Sequence, residues 1–160
     1  MTTSRTRTDR SRANFRAIAR ELHAESQAEI DVAILNGERA IHIETKAGDH
    51  LSCDPPQCTA VTMTGEGRLE VGGTCIVRAY ERSRVDVHEC GIVYASGVLG
   101  CTPTVVLAAD ESTVYVIGPN VHVLADPGVA IHDYGHEEVT IKGGVVIKHP
   151  IPPPRPPTRH

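Results

Sequence analysis

The chain has 160 residues, enough for one domain with its own core, at a formal charge of −4 and a pI near 6.1. That charge gives no general attraction to nucleic acid or to an anionic membrane surface. Hydrophobic residues make up 40% but aromatic residues only 3%, so the core must be thin, built from Val, Ile, Ala and Leu between closely facing sheets.

Residues 1–10 read as a disordered arm. Arg5, Arg7, Arg10 and Arg12, followed by Arg16 and Arg20, make it basic on an otherwise acidic chain. It lacks the apolar stretch of a secretory signal, so the expected location is the cytoplasm, unless the protein leaves as part of an assembly. From Ser11 to Gln27, Phe15, Ile18, Ala19 and Leu22 share one helical face, which predicts a helix. Ile30–Leu35 alternates, Asn36-Gly37 is a hairpin signal, and Ala40–Thr45 reads as the returning strand. Residues 11–52 are therefore expected to form a helix and β-hairpin cap. Cys53-Asp54-Pro55-Pro56-Gln57-Cys58 is a rigid connection, because neither proline can donate to a ladder.

Beyond it the pattern repeats every eight residues. Val61, Leu69, Val77, Val85 and Val93 are each followed two residues later by Met63, Val71, Ala79, Val87 and Ala95. Eight residues supply one short strand and a bend; two such units, sixteen residues, close one flattened coil. The register slips at Gly97–Thr104 and resumes with Val105/Leu107, Val114/Val116, Val121/Val123, Val129/Ile131, Val139/Ile141 and Val145/Ile147. The expectation is a mainly β fold: a β-solenoid of two-strand coils over 53–148, with five to six coils spanning 61–148 in a rod of roughly 25–30 Å. Residues 149–160 read as a proline-rich tail, with Pro152, Pro153, Pro154 and Arg155 expected to make a stiff segment suited to lying across a neighbour.

The units Val77-Arg78-Ala79-Tyr80-Glu81-Arg82-Ser83-Arg84 and Val93-Tyr94-Ala95-Ser96-Gly97 resemble the V-x-A-x-x-x-S-x octapeptide repeats in short β-solenoid proteins of actinobacteria and their phages. The resemblance implies an architecture and a phage-like context. It implies no reaction.

Chemistry-bearing residues are sparse in pattern. The five cysteines, at 53, 58, 75, 90 and 101, are an odd number and read as reduced thiols. Cys53-x4-Cys58 is at most half a zinc site, and of the residues sixteen apart only His122 and Glu138 offer a stacked ligand pair. Glu70 and Asp86 are also sixteen apart, but a flat solenoid face offers no pocket to exclude water around them. No cofactor, metal site or catalytic residue is expected, and the leading reading is a non-enzymatic structural or interaction protein. Its partners would be protein subunits of a larger assembly, such as a phage virion, or further copies of the chain; neither nucleic acid nor membrane is expected. A second reading is a binding module for protein or glycan using an outer face with Arg78, Tyr94, Tyr115 and His122 outward. A third is a metal-dependent enzyme.

Overall fold

In the computed structural model residues 21–150 are described. The basic arm with Arg5, Arg7, Arg10 and Arg12, most of the expected Ser11–Gln27 helix, and Pro152, Pro153, Pro154 and Arg155 lie outside these residues.

Twelve strands and one helix follow in the order β1 (Leu22–Ala24), α1 (Gln27–Leu35), β2 (Ala40–Thr45), β3 (His50–Cys53), β4 (Ala60–Gly65), β5 (Arg68–Val71), β6 (Ile76–Tyr80), β7 (Arg84–Val87), β8 (Ile92–Ser96), β9 (Thr104–Ala108), β10 (Thr113–Val116), β11 (Val121–Asp133) and β12 (Val139–Lys148). Every strand pairing is parallel. Strands β1, β2, β4, β6, β8 and β10 form one face, and β3, β5, β7 and β9 the other. The long β11 and β12 bend to contribute a half to each face. The chain is thus a β-solenoid of about seven two-strand coils.

The eight-residue period is the alternation between faces. Val61, Val77 and Val93 stack in register on the first face, while Leu69 and Val85 stack on the second. All ten apolar positions read from the repeat are buried. The inward columns continue through Val114 and Ile131 on the first face and through Val106 and Val123 on the second. Parallel stacking places like on like, so each coil covers the apolar side of its neighbours. This is the nearest-neighbour stability of a repeat protein.

The repeat also fixes the corners. Thr59, Gly67, Cys75, Ser83 and Gly91, eight residues apart, are all buried just before a strand begins. Ser83 Oγ donates to Tyr80 O at 2.8 Å, and Ser112 Oγ does the same to Ala109 O at 2.6 Å. A small residue or a hydroxyl that satisfies its own corner is what the tight bend admits. At Gly65 (φ 96°) a Cβ would lie 1.9 Å from Thr45 O, so the corner closes only on glycine. Other corners hold non-glycine residues in the same left-handed region. Glu89 (φ 60°) and Asp110 (φ 58°) have carboxylates that accept the N–H groups of Gly73 and Glu89, each at 3.0 Å.

Several local expectations are corrected. Ile30–Leu35 is helical and Asn36-Gly37 ends that helix, with Gly37 at φ 72°; there is no β-hairpin among the described residues. Ser26 caps α1 by accepting the Glu29 N–H at 3.2 Å, and Glu29 accepts the Glu25 N–H at 3.0 Å, a pairing that favours the helix over a Val/Ile strand. Ala40–Thr45 pairs in parallel with β4, so the first coil begins at residue 40 and not beyond 53. Leu22 belongs to a strand rather than to the expected helix.

In the later coils Val106 and Ala108 face inward, not Val105 and Leu107. The chain enters β9 on a buried Thr104, whose Oγ1 bonds to Ser96 O and Glu81 O, which shifts the register by one. In β12, Val146 rather than Val145 or Ile147 is registered with the inward Ile131. The cause is the left-handed pair Gly143-Gly144 at the bend.

Candidate functional site: an aromatic ladder on the first face

Because coils stack in register, outward residues line up in rows. One row on the first face runs His23, His42, Thr62, Arg78, Tyr94, Tyr115, His132. Its second half is a ladder of rings. Tyr94 and Tyr115 stack with centroids 4.8 Å apart and planes 13° apart; Tyr115 and His132 stack at 4.3 Å and 8°. His132 continues to His149 at 5.2 Å, and His149 to Tyr134 at 4.3 Å. Parallel pairing spaces successive rings by about one strand separation, roughly 4.8 Å, which is itself a stacking distance. Arg78 stands at the head of the ladder, exposed, registered with Tyr94.

Two rings of the ladder are also joined by a hydrogen bond. His132 Nδ1 and His149 Nε2 are 2.9 Å apart, so one ring donates and the other must accept. Burial, and then the neighbouring His149, hold His132 below the ordinary imidazole range. Ladder faces are consumed in stacking against one another. What the row offers a partner is a line of ring edges and Tyr hydroxyls, flat and held by the backbone.

Of the expected outer-face residues, Arg78, Tyr94 and Tyr115 fall together on this row. His122 does not. It lies on the second face, in register with Val105 and Thr140, because the half of β11 that carries it pairs with β9. The expected His122–Glu138 stack is therefore also absent. His132, Tyr134 and His149 were not singled out as interface residues, although Tyr115, His132 and His149 are spaced seventeen apart, close to one coil. His149, assigned to the tail by its proline neighbours, extends the ladder.

The second face is charged at one end and apolar at the other. Glu70 and Asp86 are registered partners as expected, but neither stands free. Arg68 bonds to Asp86, Arg84 lies 3.6 Å from it, and His50 is 3.7 Å from Glu70. Towards the later coils an open groove of about 620 Å³ is lined by residues including Asp86, His88, Leu107, Leu124 and Lys142.

The sulfur chemistry is divided between core and surface. Cys53 and Cys75 are buried in contact inside the coils, whereas Cys58, Cys90 and Cys101 are exposed, and all five are free thiols. The Cys53 contact and burial push the Cys75 thiol well above its usual range. Cys53 points into the core and Cys58 out of it, so the two do not converge on one ion.

Near the first coil, His23 Nε2 lies 3.1 Å from both Glu25 and Glu44, all three exposed. The hydrogen bond to Glu25, with Glu44 adding to it, raises the His23 pKa. The His23 ring set between two carboxylates accounts for this cluster. Among the described residues no helix is long and apolar enough to cross a membrane. The chain matches no protein-family model, no curated protein and no solved structure.

Proposed function

We propose that the protein is a non-enzymatic interaction scaffold: a rigid solenoid that docks protein partners along the Arg78–Tyr94–Tyr115–His132 row within a larger assembly. The stacked ladder carries this reading. Tyr and Arg are the side chains that anchor protein interfaces most often. Rings already immobilised by their neighbours lose little conformational freedom on binding, so more of each contact appears as affinity. A glycan surface is less well served, because sugar rings pack on aromatic faces and here those faces cover one another. The phage-like context of the octapeptide repeats makes a virion accessory protein the concrete version.

The test is affinity capture with full-length protein from the parent particle or host, comparing wild type with an Arg78→Ala, Tyr115→Ala double variant. The expected result is a defined partner held by wild type and weakened at least about tenfold, roughly 1.4 kcal/mol, in a variant with an unchanged circular dichroism spectrum. Equal capture by both proteins overturns the docking row. Binding to a glycan array by wild type alone would transfer the row to the second class of ligand.

A further inference from the structure

We propose that the C-terminal coil is a self-association edge, and that two copies join end to end by antiparallel pairing of β12 with β12. This goes beyond the docking row and stands whether or not that row binds a partner.

The two ends of the solenoid are finished differently. At the first coil, α1 lies over β2 and β3 with Ile30 and Ala33 fully buried. Gln27 satisfies the open edge of β3 directly: its amide donates to Ser52 O at 2.9 Å, and its carbonyl accepts the Ser52 N–H at 2.8 Å. At the other end β12 is ten residues long and pairs only with β11 among the described residues. Its free edge carries Val145, Val146 and Ile147, exposed by 56%, 40% and 41%, and Val139 and Ile141 only partly cover the core. A long edge of that kind is a template for another strand.

A second copy, used through the same end, is the occupant that fits. The sequence after β12 has proline at 150, 152, 153, 154, 156 and 157, and because proline cannot donate to a ladder it is poorly suited to serve as the next strand. At the first end of another copy, α1 and Gln27 cover the β3 edge, and the edge on the other face is the three-residue β1, too short to match ten-residue β12. The β12 sequence, Val-Thr-Ile-Lys-Gly-Gly-Val-Val-Ile-Lys, places one short apolar half-strand on each side of its two glycines. A two-fold axis between Gly143 and Gly144 would pair Ile141 with Val146 and Thr140 with Ile147.

The register is consistent with the faces. Ile141 and Val146 are the positions aligned with the inward Val123 and Ile131, so each would close the other copy's core column. Lys142 would face Val145 on the outside, and Lys148, at the strand's end in the column of Val116 and Asp133, would face Val139, so no two lysines oppose each other. The same lysines discourage pairing with arbitrary strands. The interface is isologous and closes at two copies.

The test is sedimentation velocity of the full chain from about 1 to about 100 µM, where a real association must be concentration-dependent. It is joined to amine cross-linking of a mixture of nitrogen-14 and nitrogen-15 protein. The lysines are Lys46, Lys142 and Lys148, which report the two ends separately. The expected result is a dimer with mixed-isotope links among Lys142 and Lys148, weakened at least about tenfold by Val146→Asp. Val146→Pro, which removes an N–H without adding charge, serves as a second variant, and circular dichroism checks that each variant is folded. A monomer throughout, a dimer linked through Lys46, or a dimer indifferent to a folded Val146 variant overturns the proposal. Association lost on removing residues 151–160 alone would assign the edge to the tail and overturn it equally.

Discussion

The coils from Ala60 to Ser96 and those from Thr104 to Lys148 share one core and differ in almost everything else. In the first group, successive strands on a face are registered sixteen residues apart, as in Val61–Val77–Val93 and Leu69–Val85. In the second the step from Val93 to Val114 is twenty-one, then seventeen to Ile131 and fifteen to Val146. The inward columns nevertheless run unbroken through both. Stacked parallel coils demand matching volumes inside, whereas a corner can lengthen by several residues if its polar groups are satisfied. The regular coils carry charge outside, in Arg68, Glu70, Arg78 and Asp86. The irregular ones carry every ring of the ladder after Tyr94.

The largest expected break in this contrast is a charge in the shared core. Val77→Asp or Val85→Asp buries a carboxylate with no partner between two thin sheets, costing about 3–5 kcal/mol, while Arg78→Ala changes stability by under about 0.5 kcal/mol. Denaturant unfolding of the three variants reads this directly. Val114→Asp should cost as much as Val77→Asp. A markedly smaller loss at Val114 would mean the later coils are not a true continuation of the earlier ones.

Next in size is the cap. Ile30→Ala removes a fully buried side chain from α1 and should cost about 2–4 kcal/mol, with hydrogen exchange rising first in the coil of Ala40–Cys53. Smaller again are the corners. Glu89→Ala leaves the Gly73 N–H without its carboxylate and should lower stability by about 1–1.5 kcal/mol in urea unfolding.

The smallest effect separates the ladder by pH. His132 is held below its ordinary pKa, so the unfolded chain binds more protons as pH falls through 6.5 and below. His132 therefore adds stability above about pH 6.5 that is lost progressively on acidification. The raised His23 acts with the opposite sign: its contribution is present at low pH and fades as pH rises. The informative quantity is thus a difference. Between pH 7.5 and 5.5, wild type should lose more stability than His132→Tyr, and equal losses would remove the pKa argument for the ladder.

What was legible in the sequence follows the same division. The ten inward positions from Val61 to Ala95 could be read because a core column repeats residue type and spacing together. The alternation Ile30, Val32, Ile34 was ambiguous, and the deciding signal was local: Ser26 followed three residues later by Glu29, the helix-start pairing seen in α1. The ladder was half legible. Tyr94 and Tyr115 declared themselves as outward rings in the repeat, but His132 and His149 needed the true register, which one-residue shifts at Thr104 and Gly143-Gly144 conceal. His122 was placed with the wrong neighbours for that reason. Outer rows are set by the sum of all preceding corner lengths, and no local pattern records that sum.

The central claim is that the inward columns specify the fold while the outer row is free to serve docking. The most direct test is chemical denaturation of an Arg78→Thr, Tyr94→Thr, Tyr115→Thr triple variant beside the single variant Val114→Asp. The account predicts that the triple variant, three changes in adjacent coils, keeps its β-sheet spectrum and a cooperative unfolding transition within about 3 kcal/mol of wild type. It predicts that Val114→Asp, one buried methyl pair exchanged for a charge, loses more than the triple variant does. A triple variant that unfolds while Val114→Asp remains stable would contradict it.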